Sequence, residues 1–303
     1  MKSNLIVILG PTASGKTSLA VRLADDLNGE VISADSRQVY KGMDIGTGKD
    51  LSDYQLKDKT IPHHLIDILD PFEEFNVFEY QKRFYDIFSR LLEKNVLPVL
   101  AGGTGLYLEA VLLDYKMPYA QSDQSIRREL TTLPVNELQK ILLDLRPHLH
   151  NKTDLEDKDR LIRKIEIERA RNNPQCDLPQ KPVIHAGVFG ISWDRIELRR
   201  RIALRLEQRL AEGMIDEVEQ LHKLGVSWER LDSFGLEYRY IARYLQNKMT
   251  KDNMIGKLQI AIGQFAKRQM TWFRRMEKKG VAIEWINGFD YDLLHFKVLQ
   301  RLK

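Results

Sequence analysis

Apolar and polar positions alternate along the first 115 residues in a way that predicts strands followed by helices. Three apolar runs end in glycine or polar residues and predict strands at 5–10, 30–36 and 96–105. Apolar side chains recur at helical spacing in the segments 17–27, 76–93 and 105–113. Strands that alternate with helices predict a parallel sheet covered by helices on both faces.

The pattern changes after about residue 114. Residues 123–173 are charged and predict helices, and a polar loop follows at 172–182. We expect a strand at 185–193 and then one long basic helix at 194–224, in a last third that is mostly helical. The simplest topology is an α/β core with a helical insertion domain, divided at 1–115, 116–182 and 183–303.

Composition narrows the class of protein. Of 303 residues 43% are hydrophobic, no run approaches the roughly 20 apolar residues that span a bilayer, and Cys176 is the single cysteine. A lone cysteine excludes an intrachain disulfide framework and a multi-cysteine zinc site. No signal-peptide pattern opens the chain, so we expect a cytoplasmic protein with no membrane partner.

Charge is distributed unevenly along the chain. Residues 1–115 hold 12 basic and 17 acidic side chains, a net charge of −5, whereas residues 116–303 hold 35 and 26, a net charge of +9. A basic second part predicts contact with a polyanion such as nucleic acid. An arginine-rich, solvated helical surface would give the same counts.

A phosphate-binding motif follows the first predicted strand. Residues 10–17 fit G-x-x-x-x-G-K-[ST] at every position, namely Gly10, Pro11, Thr12, Ala13, Ser14, Gly15, Lys16 and Thr17. The glycines let backbone N–H groups face an anion at a helix N-terminus, Lys16 adds a full charge, and the Thr17 hydroxyl is placed to hold Mg²⁺. The motif predicts a di- or triphosphate ligand and a P-loop NTPase-like parallel sheet core with an inserted helical domain.

The sequence lacks the carboxylate that usually completes such a nucleotide site. The third strand ends in Ala-Gly-Gly-Thr104, whereas the second ends in Asp35. Asp35 could orient Mg²⁺, act as a general base, or simply cap a helix. The motif therefore supports phosphoryl transfer, nucleotide hydrolysis or the displacement of pyrophosphate. The polar loop 36–49 and the turn 102–105 are expected at the same sheet edge.

Two basic stretches and a histidine pair are further candidates. Arg201, Arg205 and Arg209 form one stripe at helical spacing. Residues 267–275 mix basic side chains with two aromatic ones, which suits backbone contact and base stacking but also a surface helix with a buried aromatic anchor. The pair at 63–64 could bind a metal, but neighbours on a strand point to opposite faces, which favours structural histidines.

Seven segments occur in an order that is typical of one family. They are GPTASGKT (10–17), ADSRQVYKGMDIGTGK (34–49), PHHLIDILDP (62–71), AGGTGLYL (101–108), DRLIRKIEIER (159–169), RIALRLEQRLAEGMIDEVEQL (201–221) and AKRQMTWFRR (266–275). Together they resemble the tRNA dimethylallyltransferase family, also called tRNA isopentenyltransferases, from residue 5 to about 276. The chain lacks the C-terminal zinc finger of eukaryotic relatives, since Cys176 is alone, so a bacterial type is expected.

The resemblance implies a prenyl-transfer reaction assisted by Mg²⁺. The dimethylallyl group of dimethylallyl diphosphate would pass to the exocyclic N6 amine of the adenine 3′-adjacent to the anticodon in tRNA, and diphosphate would leave. Asp35 would accept the amine proton, Lys16 and Thr17 would serve the diphosphate and its metal, and Arg205 would reach the diphosphate or the reactive centre. The adenine must be flipped out of the anticodon loop to reach the site.

The resemblance also implies tRNA contacts at three places, in a protein expected to act as a monomer. The insertion would clamp the anticodon stem-loop. The implied contact residues are Asp35, Ser36, Arg37, Gln38, Thr104, Arg127, Asp159, Arg160, Leu161, Ile162, Arg163, Lys267, Arg268, Gln269, Met270, Thr271, Trp272, Phe273 and Arg274.

One segment departs from the family pattern, and three other functions fit part of the sequence. At 234–239 Glu237 stands where a glycine is expected, so this loop is not assumed to approach RNA in the usual way. An adenylate isopentenyltransferase would use the same donor but would not need the basic insertion or the 267–275 helix. A small-molecule kinase fits the phosphate motif alone. A non-catalytic RNA-binding module is disfavoured by the intact Lys16, Thr17 and Asp35.

Overall fold

The fold was analysed in a computed structural model, which describes residues 2–56, 59–113, 115, 124–146, 157–171 and 182–303. Cys176 and nearly all of the predicted loop 172–182 lie outside the described residues. The chain divides into two compact units, one formed by Met1–Tyr115 with Pro182–Lys303 and the other by Lys116–Lys181. In the described ranges no helix is both long enough and apolar enough for a bilayer crossing.

The larger unit is built on a parallel six-stranded sheet. The strands of the chain are β1 (Leu5–Leu9), β2 (Gly29–Ala34), β3 (Gln55–Leu56), β4 (Lys59–Thr60), β5 (His63–His64), β6 (Leu97–Gly102), β7 (Ala186–Ser192) and β8 (Ile283–Asn287). In the main sheet they lie in the order β5-β2-β6-β1-β7-β8, and every pairing is parallel. The short β3 and β4 form a separate antiparallel pair. The predicted α/β class with a parallel sheet is confirmed.

Helices flank the sheet and fill the last third of the chain. They are α1 (Lys16–Asp26), α2 (Val77–Glu93), α3 (Gly105–Leu112), α4 (Gln124–Thr132), α5 (Val135–Leu145), α6 (Lys158–Arg171), α7 (Arg195–Ala211), α8 (Met214–Lys223), α9 (Trp228–Ser233), α10 (Leu236–Leu245), α11 (Lys251–Lys278) and α12 (Tyr291–Leu302). Side-chain caps start five of the described helices, and α2 and α7 are two examples. Asn76 accepts the N–H of Phe78 at the start of α2, and Asp194 accepts that of Ile196 at the start of α7.

The central strand β1 is apolar at every position because both of its faces are buried. Leu5, Val7 and Leu9 point into a core that α2 and α3 complete, and Ile6 and Ile8 point into a core that α1 and α12 complete. A third apolar cluster joins α7 to α11 and receives the loop after β2. This cluster fixes the polar loop and the C-terminal helices beside the ends of the strands.

Two predictions about the last third differ from the structure. The expected single helix at 194–224 is broken into α7 and α8 by Gly213, whose φ of +97° is in the left-handed region that favours glycine. The structure also contains an edge strand, β8, and a terminal helix, α12, which the sequence analysis did not predict. Strand β8 pairs with β7, so the C-terminal residues extend the same sheet.

The smaller unit has its own apolar core in its described helices α4, α5 and α6. Six buried aliphatic side chains form it, which are Leu130, Leu138, Leu142, Leu161, Ile162 and Ile165. Residues 158–171 are therefore an amphipathic helix with one face inside this unit.

Candidate functional site

A cavity of about 1100 Å³ opens where the parallel strands β1, β2 and β6 end. The turns that follow these strands, residues 12–18, 35–38 and 101–106, line it together with side chains of α7 and α11. Ligands of open parallel sheets bind at this edge. The glycine-rich and polar turns that the sequence predicts at one sheet edge therefore share one cavity.

The phosphate motif forms the turn from β1 to α1. Gly15 has a φ of +84°, which a residue with a side chain would adopt only under strain. Trp193 Nε1 donates to the carbonyl of Ser14 at 3.0 Å, and Arg201 Nε donates to the carbonyl of Ala13 at 2.8 Å. These two hydrogen bonds fix the consecutive carbonyl groups of Ala13 and Ser14, and their donors lie just after β7 and in α7. Trp193 was not a predicted site residue, because no local motif marks it.

Lys16 is the first residue of α1, and its ammonium group makes one long hydrogen bond to the described residues. Its Nζ donates to the carbonyl of Pro11 at 3.3 Å. Burial and then the Arg205 guanidinium lower the pKa of Lys16 to about 8, although Asp35 opposes the shift. The Thr17 hydroxyl lines the cavity at the next position. An ammonium that is desolvated and weakly bonded is suited to an incoming phosphate.

Asp35 follows β2 and uses one carboxylate oxygen to shape its own turn. Oδ1 accepts the backbone N–H of Arg37 at 2.9 Å and that of Gln38 at 3.4 Å. No hydrogen bond from the described part of the chain reaches Oδ2, and Asp35 lines the cavity. The capping role and a chemical role, which were alternatives in the sequence analysis, are compatible in this geometry. Thr104 accepts the N–H of Ser36 at 3.1 Å, which ties the second glycine-rich turn to this one.

Both the oxygen and the nitrogen of the Gln38 side-chain amide form hydrogen bonds within the protein. Its Oε1 accepts from Ser33 Oγ at 2.9 Å, and its Nε2 donates to the carbonyl of Gly48 at 2.9 Å. The expectation that this side chain reads a base edge is therefore not supported, and its amide shapes the loop instead. The other end of the loop is held by Glu217 of α8, which accepts three consecutive backbone N–H groups from residue 44 to residue 46. Glu217 was not a predicted site residue either.

Gln269 of α11 joins the two glycine-rich turns. Its Oε1 accepts the N–H of Thr12 at 2.8 Å, and its Nε2 donates to the carbonyl of Gly103 at 2.9 Å. The side chain is buried, so the prediction that Gln269 contacts tRNA is replaced by a bridging role. The amide side chain matches one donor and one acceptor at the same time, which few residue types can do.

The other predicted contact residues of α11 lie on different faces. Lys267, Arg268, Thr271 and Arg274 are exposed. Phe273 is fully buried in the core below the sheet, so the prediction of an RNA contact for its side chain is wrong. Trp272 and Met270 are partly buried, and a side chain at Gly105 would overlap the Trp272 ring. Trp272 lines the cavity, while Phe273 is the aromatic anchor that the sequence analysis gave as the alternative.

The predicted arginine stripe of α7 faces the cavity. Arg201 holds the phosphate turn, and its guanidinium lies 4.4 Å from the centre of the Trp193 ring. Arg205 forms an ion pair with Asp50, and Arg209 is buried behind it. Spacing alone identified these three side chains, because residues four apart share a helix face.

The segment 234–239 consists of a two-residue connection, Phe234 and Gly235, and the first residues of α10. Gly235 precedes α10 with a φ of +123°, and a side chain there would overlap the guanidinium of Arg37. Glu237 lies in the first turn of α10 on the cavity wall. Burial raises the pKa of Glu237, and the guanidinium groups of Arg37 and Arg209 oppose that shift. Gly235 therefore allows the close approach of the Arg37 side chain.

The remaining predicted contacts belong to the smaller unit. Arg127 lies in α4 and Asp159 to Arg163 lie in α6. Leu161 and Ile162 are buried in the core of that unit, so the predictions of tRNA contacts for their side chains are wrong. Asp159 and Arg160 are exposed, and Arg163 forms an ion pair with Glu166 at 2.9 Å.

The histidine pair has structural partners. His64 Nε2 lies 2.6 Å from Glu30 Oε2, and His63 Nδ1 lies 3.2 Å from the carbonyl of Ile61. No group of three or more His, Cys, Asp or Glu side chains within the described ranges could hold a metal ion. The cavity does offer oxygen donors at Thr17, Asp50 and Asp53, a set that fits a hard cation sharing its shell with phosphate and water.

Comparisons with known proteins agree with one another. The IPP transferase family matches residues 38–276, and the Isopentenyl transferase family matches residues 3–60. A protein of Syntrophus aciditrophicus named tRNA dimethylallyltransferase 1 is 56% identical over 97% of both chains, and one of that name from Geotalea uraniireducens is 52% identical over 100% of this chain and 98% of its own. The crystal structure of the tRNA isopentenylpyrophosphate transferase of Bacillus halodurans is similar with a TM-score of 0.69, at 33% identity over 99% of this chain and 98% of its own.

Proposed function

Because the chain belongs to the IPP transferase family, we propose that it transfers the dimethylallyl group of dimethylallyl diphosphate to the N6 amine of an adenine in tRNA. The acceptor is the adenine 3′-adjacent to the anticodon, and diphosphate is released. The observation that carries the proposal is the placing of Lys16 and Asp35 on one cavity, beside the exposed basic side chains of α11.

The diphosphate group binds in the turn at residues 10–17. Backbone N–H groups at the start of α1, the Lys16 ammonium and the Arg205 guanidinium face its oxygens. These donors are fixed before the substrate arrives, so they stabilise the charge that develops as the C–O bond breaks and the electron pair leaves with diphosphate.

The oxygen donors of the cavity are suited to Mg²⁺. The Thr17 hydroxyl would hold it, and Asp53 lines the same cavity. Bound together with diphosphate, the ion would supply Lewis-acid stabilisation of the leaving group. Lys16 neutralises negative charge on the diphosphate, and Asp35 accepts a proton from the adenine amine.

Asp35 accepts a proton from the adenine amine as the new C–N bond forms. Its Oδ1 is occupied by two backbone N–H groups, which leaves Oδ2 for the substrate. An aryl amine is a poor nucleophile, so we expect the allylic carbon to acquire cationic character before the proton is transferred. The adenine reaches Asp35 only after it leaves the base stack.

Side chains that are exposed or partly exposed bind the tRNA. We assign this role in the larger unit to Ser36, Arg37, Thr104, Lys267, Arg268, Thr271, Trp272 and Arg274, and in the smaller unit to Arg127, Asp159, Arg160 and Arg163. Basic residues contact phosphate groups, and Trp272 is placed to stack on a base.

A competition between acceptors tests the proposal. The protein is incubated with radiolabelled dimethylallyl diphosphate, Mg²⁺ and, in parallel, unmodified tRNA, AMP or ATP. We expect label in tRNA alone. Label in AMP or ATP would assign the protein to the adenylate prenyltransferases, and no transfer to any acceptor would contradict prenyl transfer and favour a kinase.

A further inference from the structure

Two cationic side chains within the described residues are less than a tenth exposed, and only one of them is well compensated. Lys49 lies among the carbonyl of Tyr40 at 2.7 Å and the carboxylates of Asp44, at 2.6 Å, and Asp67. Two carboxylates therefore balance one ammonium, as buried charges normally require. Arg209 is the other buried cation.

Arg209 is compensated less completely. It is 8% exposed, and its Nε and Nη2 have no hydrogen-bond partner among the described residues. Asp50 Oδ2 lies 3.7 Å from Nη2 and already accepts a hydrogen bond from Arg205. Glu237 is the second carboxylate near Arg209, and it is shared with Arg37 and Arg205. Two carboxylates thus face three guanidinium groups, and the cluster keeps a net positive charge beside the phosphate turn.

The fold is shaped to hold the guanidinium in this place. Gly48 has a φ of +65°, and a side chain there would overlap Arg209. A small cavity next to Arg209, of about 10 Å³, has room for about one water molecule. A water could satisfy an N–H group but would leave the excess positive charge in place, and buried charge that is not balanced is costly. An anion that enters the neighbouring cavity would balance it.

We propose that Arg209 is a positioning residue for the diphosphate, a fixed positive charge behind Arg205 and Asp50 that becomes balanced when the anion enters. The inference rests on the proposed function, because that function supplies the diphosphate. Asp50 orients Arg205 towards the phosphate turn, and Arg209 keeps Asp50 from neutralising Arg205 completely. The diphosphate then binds to an oriented Arg205 whose positive charge Asp50 neutralises only in part.

Replacement of Arg209 separates this role from a purely structural one. In Arg209→Met the apolar side chain fills a similar volume, so we expect an equal or higher Tm, because replacing a buried ion by an apolar group is often neutral or stabilising. The Kd for inorganic diphosphate with Mg²⁺ should rise by about tenfold, the order expected when one nearby positive charge that acts through space is lost. The Kd for tRNA should not change. Arg199→Met, at an exposed position of the same helix, is the matched control and should change neither property.

A lower Tm with an unchanged diphosphate Kd would overturn the proposal. If the Met variant does not fold, Arg209→Lys and Arg209→Gln decide, because only Lys keeps the charge. The Lys variant should bind diphosphate more tightly than the Gln variant, and equal affinities would contradict the role.

Transfer of label to tRNA by the wild-type protein is measured in the same series. A wild-type protein that binds no diphosphate and transfers no label would refute the proposed function itself, whereas an active wild type with an unaffected Arg209→Met would refute only this inference.

Discussion

At the scale of single residues, Asp35 shows how one carboxylate can serve both the fold and the chemistry. Its Oδ1 accepts two backbone N–H groups and shapes the turn after β2. Its Oδ2 remains for a ligand in the cavity. Replacement by alanine would remove both functions together, so the informative substitution is one that keeps the acceptor and removes the base.

Asp35→Asn is that substitution. The asparagine carbonyl can still accept the N–H groups of Arg37 and Gln38, so the turn should persist, whereas a neutral amide cannot take the amine proton. We expect turnover with tRNA to fall by about 10²–10⁴-fold, the range typical of a lost general base. The Kd for tRNA should stay nearly unchanged, and wild-type turnover in this variant would rule out the base assignment.

Lys16 should make diphosphate binding depend on pH. The lowered pKa of about 8 means that the ammonium loses its proton well below the usual range for lysine. Because the protonated form binds the anion, affinity should be full well below pH 8 and should decline as the pH rises through 8. The check is the Kd of inorganic diphosphate between pH 7 and 9.5 without divalent ions. Lys16→Arg keeps its charge over this range, and parallel pH profiles of the two proteins would contradict the prediction.

At the scale of elements, α11 combines two tasks on two faces. The buried face carries Gln269, which joins the phosphate turn to the turn after β6. The exposed face carries Lys267 and Arg268, which are proposed to bind tRNA. The helical periodicity that the sequence displays separates these faces, but only the fold shows what lies beneath each.

The exposed face should control the salt dependence of tRNA binding. Lys267→Ala with Arg268→Ala should weaken binding and lower the slope of log K against log salt by about two, one for each phosphate group that a basic side chain no longer neutralises. The matched control is Lys251→Ala with Lys257→Ala at the beginning of the same helix. An unchanged slope in the first pair, or an equal change in both, would exclude a specific interface at 267–268.

The buried face should control stability. Gln269→Ala leaves the N–H of Thr12 and the carbonyl of Gly103 without their partner, which should cost about 1–3 kcal/mol of unfolding free energy. Denaturant unfolding measures this, with Gln264→Ala at an exposed position of α11 as the control. Unchanged stability together with weaker tRNA binding would contradict the bridging role and support a direct contact between Gln269 and tRNA.

At the scale of the whole molecule, the local sequence pattern predicts the central strands of the sheet and the phosphate turn. The edge strand β8 and the role of Gln269 depend on tertiary contacts instead. Strand β1 is an apolar run closed by glycine, which is a local signal. The break between α7 and α8 is marked only by Gly213, and the apolar spacing continues beyond it at Met214 and Ile215, so periodicity alone does not end the helix there. Strand β8 is short, and Glu284 interrupts its apolar pattern. Gln269 bonds to a residue 257 positions away, so no nearby pattern indicates its role.

The most direct test of the whole account is nucleoside analysis of an unmodified anticodon stem-loop after incubation with the protein, dimethylallyl diphosphate and Mg²⁺. The account predicts N6-dimethylallyladenosine at the adenine 3′-adjacent to the anticodon, and no product when that adenine is replaced by guanine. A prenyl group at another position, or an unmodified stem-loop with an active phosphate-binding site, would contradict it.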